Sequence, residues 1–122
     1  MAELLHITER SLWEAARAVG AYTGSTRGRT LEQEGFIHCS LRHQLAGVAA
    51  LLYGDPPDRD DLVVLVIDDT LVPSPVRYES PAPGAPEFPH IYGPLPVTAV
   101  RAVESWPADL TDAADPVRAG AS

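Results

Sequence analysis

The chain has 122 residues and a net charge of −8, since 17 acidic residues face 9 Arg and no Lys. This length predicts one domain. The acidic balance argues against binding to a nucleic-acid backbone, which needs a cationic surface. The lack of Lys excludes Schiff-base chemistry and a P-loop lysine, and a single Cys excludes an internal disulfide and a Cys-rich zinc module.

Hydrophobic periodicity, capping residues and turn residues predict the secondary structure. Ser11 and Glu14 form a capping box, Thr30 and Gln33 form a second one, and Ser40 is a predicted helix cap. In chain order the predicted elements are a strand over 4–8, a helix ending at Gly20, a mobile loop over 22–29, one helical turn ending at Gly35, a strand over 36–39, a helix over 41–52, strands over 62–67 and 76–80, an ordered Pro-rich loop over 81–96 with a short strand near 90–92, and a β-rich segment over 97–106.

Strands outnumber helices in this order, and no helix separates the last three strands, which argues against a doubly wound parallel sheet. We therefore expect an α+β domain over residues 1–107, with a small split, mainly antiparallel sheet and two main helices. Residues 108–122 are small, polar and rich in Ala and Asp, which predicts a flexible C-terminal tail.

The N-terminal residues and the longest apolar run predict the cellular location. The N-terminus lacks the basic stretch of a signal peptide, and the longest apolar run, residues 62–67, is far too short for a membrane span. We expect a cytoplasmic protein, monomeric or weakly dimeric. Its expected partner is a small molecule, with no nucleic acid and no membrane.

Three of the four His repeat one local pattern, in which a hydroxyl residue follows two positions later. The period of a strand places both side chains on one face and could create a polar cleft suited to acid–base chemistry. A structural role for each His and a three-His metal site are the alternatives, although no close ligand spacing supports a metal. The three motifs are His6-Ile-Thr8, His38-Cys-Ser40 and His90-Ile-Tyr92.

Charged and aromatic residues near the third motif are further candidates. Glu87 is a candidate catalytic acid, and Glu79 could bind a sugar hydroxyl or stabilise a cation, although both could equally be solvated surface charges. Arg77 could bind a phosphate or carboxylate with its planar guanidinium. Phe88 and Gly93 complete the predicted ligand-binding set.

Four segments then resemble the bacterial domain of unknown function 952 family over about residues 4–103. They are residues 4–9 followed by Trp13, the central block 34–40, the strand 61–68, and the block 88–95 with sequence Phe-Pro-His-Ile-Tyr-Gly-Pro-Leu. The resemblance implies a fold similar to that of ADP-ribosyltransferases, where a split sheet forms a cleft for NAD.

By that resemblance, His6 would hold a ribose of NAD, residues 35–40 would flank the nicotinamide, and Glu87, or else Glu79, would orient the attacked ribose. The chain lacks the Glu-x-Glu or Gln-x-Glu pattern of those transferases. The predicted function is binding of, and action on, a nucleotide-, ribosyl- or sugar-like molecule, with NAD as a candidate cofactor. The alternatives are a non-catalytic ligand-binding module and a metal-dependent enzyme.

Overall fold

The computed structural model describes residues 2–106 and shows a small α+β domain. The predicted tail over 108–122 lies outside the described residues. The elements, in chain order, are β1 (Glu3–Glu9), α1 (Arg10–Val19), β2 (Ala21–Tyr22), β3 (Gly24–Thr26), β4 (Arg29–Thr30), α2 (Leu31–Glu34), β5 (Ile37–His38), α3 (Arg42–Tyr53), β6 (Leu62–Asp68), β7 (Val76–Glu79), β8 (Phe88–Ile91), β9 (Leu95–Pro96) and β10 (Val100–Ser105).

The first sheet has the order β1-β6-β10 and is antiparallel throughout. Its central strand β6 is buried on both faces, as its continuous apolar sequence predicts. Leu65 packs on one face with Leu4 and Trp13, whereas Val64 packs on the other face with Leu45 of α3. Both core clusters therefore meet at β6.

The second sheet has the order β5-β8-β7, also antiparallel, and its register places His38 opposite His90. Backbone hydrogen bonds between Leu5 and Ser40, of 2.8 and 2.7 Å, connect the segment just after β5 to β1. The predicted mainly antiparallel, split arrangement is confirmed. Strand β8 begins before and ends before the predicted strand near 90–92: it leaves out Tyr92 and includes Pro89, whose carbonyl accepts a hydrogen bond from the Cys39 amide.

The N-terminal ends of the three helices test the predicted capping residues, and one of the three predictions is confirmed. The box at Thr30 is formed, because its hydroxyl accepts from the Gln33 amide at 3.2 Å and the Gln33 side chain accepts from the Thr30 amide at 2.9 Å. The box at Ser11 was wrong, since α1 begins two residues earlier than that cap requires and Glu9 is its N-cap. The Ser40 cap was also wrong, because the Ser40 backbone pairs with β1 and Leu41 precedes the helix.

The predicted loop over 22–29 contains regular structure. Strand β2 pairs with β9 near the other end of the chain, and β3 forms a short hairpin with β4. Strands of two or three residues have too little periodicity to be recognised locally. Within residues 2–106, no helix combines the length and apolar character that crossing a membrane requires.

Candidate functional site

A cavity of about 700 Å³ lies between α3 and the second sheet. Its apolar side is formed by Phe88 of β8 and by Val48, Leu51 and Leu52 of α3. Its polar side combines imidazole, carboxylate and aromatic side chains, namely Glu34, Phe36, His38, Glu79, His90 and Tyr92. A cleft with an apolar wall and a few convergent polar groups is the usual form of a small-molecule site.

Glu79 and His90 form the best-defined pair in this cavity. Nδ1 of His90 lies 2.8 Å from Oε1 of Glu79, and the Tyr92 hydroxyl donates to the same oxygen at 2.5 Å. These bonds, that from Tyr92 above all, lower the pKa of Glu79, so its carboxylate is ionised at neutral pH. An ionised carboxylate only accepts, so Nδ1 of His90 carries a proton and Nε2 is left to meet a ligand.

The pair depends on antiparallel register. Glu79 lies opposite Phe88 in the β7–β8 ladder, and Arg77 lies opposite His90. Glu79 and His90 are therefore diagonal neighbours, within reach of long side chains on one face of the sheet. His90 and Tyr92 share Glu79 as a partner, so they lie on one side of the strand, as the period of two predicts.

His38 lies beside His90 in an aromatic cluster. Its ring centroid is 5.2 Å from that of His90, and the Phe36 ring lies 4.6 Å from His38 and 4.2 Å from His90. Burial, followed by the charge of His90, lowers the pKa of His38, so the imidazole is neutral at pH 7. Nε2 of His38 is buried and has no hydrogen-bond partner among the described residues.

Glu34 faces this unpaired nitrogen across a distance of 3.6 Å from its Oε1. The other carboxylate oxygen, Oε2, accepts from Nε of Arg29 at 2.8 Å. That bond with Arg29 is the main reason why the pKa of Glu34 is lowered. Glu34 is thus an ionised carboxylate in the lining of the cavity, with its Oε1 next to His38.

His6 borders the cavity but is closed off from ligands. It is 2% exposed, and its Nδ1 lies 2.5 Å from the His38 carbonyl while its Nε2 lies 2.8 Å from the Tyr22 hydroxyl. Burial lowers the pKa of His6 to about 4, so the ring is neutral. Both nitrogens are used by the protein, which differs from the catalytic role predicted for His6.

The donors and acceptors of this buried network can be assigned from the protons that each group carries. The His38 carbonyl can only accept, so Nδ1 of His6 carries the proton and Nε2 accepts from the Tyr22 hydroxyl. The Thr8 hydroxyl lies 2.9 Å from that of Tyr22 and therefore donates to it. The series of hydrogen bonds from Thr8 through Tyr22 to His6 ends at the backbone carbonyl of His38 and holds that residue in place.

The remaining predicted residues are divided between the cavity and the surface. Ser40 lines the cavity, and its backbone pairs with β1. Glu87 is exposed and absent from the lining, and its carbonyl accepts from the Gln44 side chain. Arg77 is exposed with its guanidinium 5.1 Å from the Tyr92 ring centroid, outside the lining. Gly93 permits close approach, because a Cβ there would lie 2.1 Å from Oγ of Ser74.

Three residues of these clusters were not named as site residues from the sequence: Tyr22, Glu34, and Phe36, which lies within the predicted segment 35–40. Glu34 and Phe36 flank Gly35 in the block that contains His38. Their closeness in sequence to His38 was the signal that could have identified them as site residues. Tyr22 gave no such signal, since it reaches His6 only through the β2–β9 pairing.

Metal and thiol chemistry find little support in the side chains present. Within residues 2–106, no group of three or more His, Cys, Asp or Glu side chains is arranged to hold a metal ion. Cys39 is buried in the core cluster with Ile37 and Ile91, and burial raises the pKa of its thiol. A protonated thiol is a poor nucleophile.

Comparison with known proteins gives a family assignment. Residues 7–103 match the family model described as protein of unknown function (DUF952). The chain belongs to the DUF952 family. No curated protein matches it in sequence.

Two experimental structures of CC0527 from Caulobacter crescentus are similar to this member of the DUF952 family. The crystal structure is 29% identical, covers 88% of this chain and 90% of that chain, and has a TM-score of 0.73. The solution NMR structure is 26% identical, covers 96% and 99% of the two chains, and has a TM-score of 0.71.

Proposed function

We propose that the cavity binds a nucleoside- or sugar-like small molecule and that His90 exchanges a proton with one of its hydroxyl groups. The observation that carries this proposal is the carboxylate–imidazole pair inside a cavity of about 700 Å³. Glu79 orients His90 through Nδ1, and the neighbouring His38 supplies a second imidazole. A base oriented by a third group is the usual arrangement for general acid–base catalysis.

The lining also supports the class of ligand. Phe36 and Tyr92 contribute aromatic surface to the lining for contact with a planar base, and the imidazoles and hydroxyls match the hydrogen-bonding groups of a sugar. Phe88 and the apolar residues of α3 would cover the opposite face. A cytoplasmic location and a monomeric or weakly dimeric state belong to the same proposal.

Transfer of ADP-ribose from NAD on a transferase-like fold is the finer hypothesis that the family resemblance implies. It needs a first-strand His that is free to hold ribose, whereas His6 is 2% exposed with both ring nitrogens in use. A phosphorylated ligand also lacks a cationic partner, since no Arg or Lys occurs among the described residues that line the cavity. These two features favour a ligand without phosphates over NAD.

Binding is tested by NMR titration of adenosine, ribose and NAD into the protein, following the imidazole signals. We expect saturable shifts of His38 and His90 with adenosine, and their loss in a Phe36→Ala variant. His43→Ala is the matched control, because His43 lies exposed on α3 outside the lining. The absence of saturable shifts with all three compounds would overturn the proposal.

Catalysis is tested separately by incubating the same compounds with the protein and separating the products by chromatography. We expect turnover that is lost in His90→Ala and Glu79→Gln and retained in His43→Ala. Binding without turnover would contradict proton transfer by His90 and would support the alternative of a non-catalytic ligand-binding module.

A further inference from the structure

We propose that the ligand of this cavity carries a cationic amine and that Glu34 recognises it. This inference rests on the proposed function and specifies the chemical class of the ligand. It is carried by the placement of two carboxylates around one aromatic cluster.

Glu34 and Glu79 approach the cluster from different elements. Glu34 ends α2 and lies 3.6 Å from Nε2 of His38, whereas Glu79 ends β7 and bonds to His90. The rings between them belong to Phe36, His38 and His90, packed within about 5 Å of one another. Both carboxylates line the cavity.

Each carboxylate uses one oxygen for the protein. Oε2 of Glu34 holds Arg29, and Oε1 of Glu79 accepts from both His90 and Tyr92. Within residues 2–106, Oε1 of Glu34 faces Nε2 of His38 at 3.6 Å, longer than a hydrogen bond, and the bonds of Glu79 to His90 and Tyr92 use its Oε1, not its Oε2. Two anionic oxygens are therefore available to a donor from a ligand.

Among the described residues that line the cavity there is no Arg or Lys. The chain has no Lys. Arg29 contacts Glu34 from outside the lining, and Arg77 stacks on the Tyr92 ring at the surface, also outside it. An anionic ligand would meet repulsion here, whereas an ammonium group would form charge-assisted hydrogen bonds and lie against electron-rich ring faces.

Nε2 of His38 lies beside the same carboxylate, 3.6 Å from Oε1 of Glu34. It is buried without a partner among the described residues, and leaving such an atom unpaired is costly. An ammonium carries three N–H donors, and one of them can bond to Oε1 of Glu34, the acceptor that Nε2 of His38 faces.

The apolar wall then defines the rest of the ligand. Leu51 is 84% exposed although it is large and apolar, and it lines the cavity together with Val48 and Leu52. A planar or apolar body lying on these side chains would remove them from water. The ligand class is an amine attached to a planar or apolar body, such as an amino-substituted nucleoside.

The test is a matched series of three ligands that differ in charge: 5′-amino-5′-deoxyadenosine, adenosine, and the 5′-carboxylic acid of adenosine. Dissociation constants are measured by calorimetry at low and high salt. We expect the amine to bind about tenfold more tightly than the acid, with adenosine between them, and the difference to shrink with salt.

Glu34→Gln removes the charge at similar size, and Glu32→Gln is its control on the same helix, exposed and outside the lining. We expect Glu34→Gln to reduce the preference for the amine several-fold while adenosine changes less than twofold. Glu32→Gln should leave the preference unchanged.

The outcomes separate this inference from the proposed function. Equal affinities, or tightest binding of the acid, would overturn the cationic ligand class and leave the adenosine site in place. A preference that Glu34→Gln does not change would overturn the role of Glu34. Failure of all three ligands to bind would overturn both proposals.

Discussion

The same His-x-hydroxyl motif occurs in two contrasting environments in this molecule. In the first strand, His6 and Thr8 are buried and share the Tyr22 hydroxyl, so all their polar atoms serve the protein. At the end of β8, His90 and Tyr92, which comes just after the strand, share Glu79 beside a cavity, and one imidazole nitrogen is left for a ligand. The contrast teaches that a local motif defines which side chains share a face but not whether that face is open.

Removing His6 should break the buried network and produce the largest effect. His6→Ala leaves the Tyr22 hydroxyl and the His38 carbonyl without their partner, so we expect a loss of about 3 kcal/mol in the free energy of unfolding. Urea denaturation measures this loss. His90→Ala should cost much less, and an equal loss in the two variants would contradict the contrast.

Lowering the pH should weaken the buried network selectively. The pKa of His6 is about 4 in the folded state, below its ordinary value of 6.5, so the unfolded chain binds more protons between these values. Stability is therefore complete above pH 6.5 and falls as the pH decreases toward 4, by about 2 kcal/mol between pH 7 and pH 5. The lowered pKa of His38 acts in the same direction.

The contribution of His6 is isolated by repeating the urea curves on His6→Gln. That variant should lose most of the dependence between pH 7 and pH 5, whereas His43→Ala should keep it. An unchanged dependence in His6→Gln would show that other groups cause it.

Tyr22→Phe should have an intermediate effect on stability. It removes the hydroxyl that joins Thr8 to His6 and leaves Nε2 of His6 unpaired, which should cost about 1–2 kcal/mol by urea denaturation. Tyr78→Phe is the matched control at a residue that is 43% exposed, and it should change little. Similar losses of stability in Tyr22→Phe and Tyr78→Phe would contradict the role of the Tyr22 hydroxyl in joining Thr8 to His6.

The same substitution on the open side, Tyr92→Phe, should have the smallest effect on stability and a clear effect on titration. The Tyr92 hydroxyl is the main cause of the lowered pKa of Glu79, so its removal should move that pKa upward toward its ordinary value. Carboxyl NMR signals followed through an acid titration measure the change. An unaltered Glu79 pKa would contradict the bond from Tyr92.

Much of the local structure could be predicted because it depends on neighbours in the chain. The capping box at Thr30, the helix ends at Gly20 and Gly35, and the buried strand β6 all follow from short patterns. Prediction was wrong where a distant segment competes for the same backbone groups. Ser40 pairs with Leu5 instead of capping α3, and β2 exists only because β9 reaches it.

Part of the candidate site could likewise be predicted from local patterns. Period-two geometry placed His90 and Tyr92 together, and residue chemistry selected Glu79 and His38 as ligand-binding or catalytic candidates. The choice between Glu79 and Glu87 needed the register of β7 against β8, because only that ladder brings one carboxylate diagonally next to His90. Loop 80–87 leaves Glu87 on the surface.

From its amino acids alone, the chain could be seen to form one acidic α+β domain with three motifs that present an imidazole and a hydroxyl on one face. Burial of these motifs was decided only when separate segments packed together. Tyr22 arrives at His6 through the β2–β9 pairing and closes that motif, whereas β5, β7 and α3 leave a cavity in front of His38 and His90. The physical reason is that periodicity acts within a few residues, whereas access to water and the pKa of an imidazole depend on every segment that surrounds it.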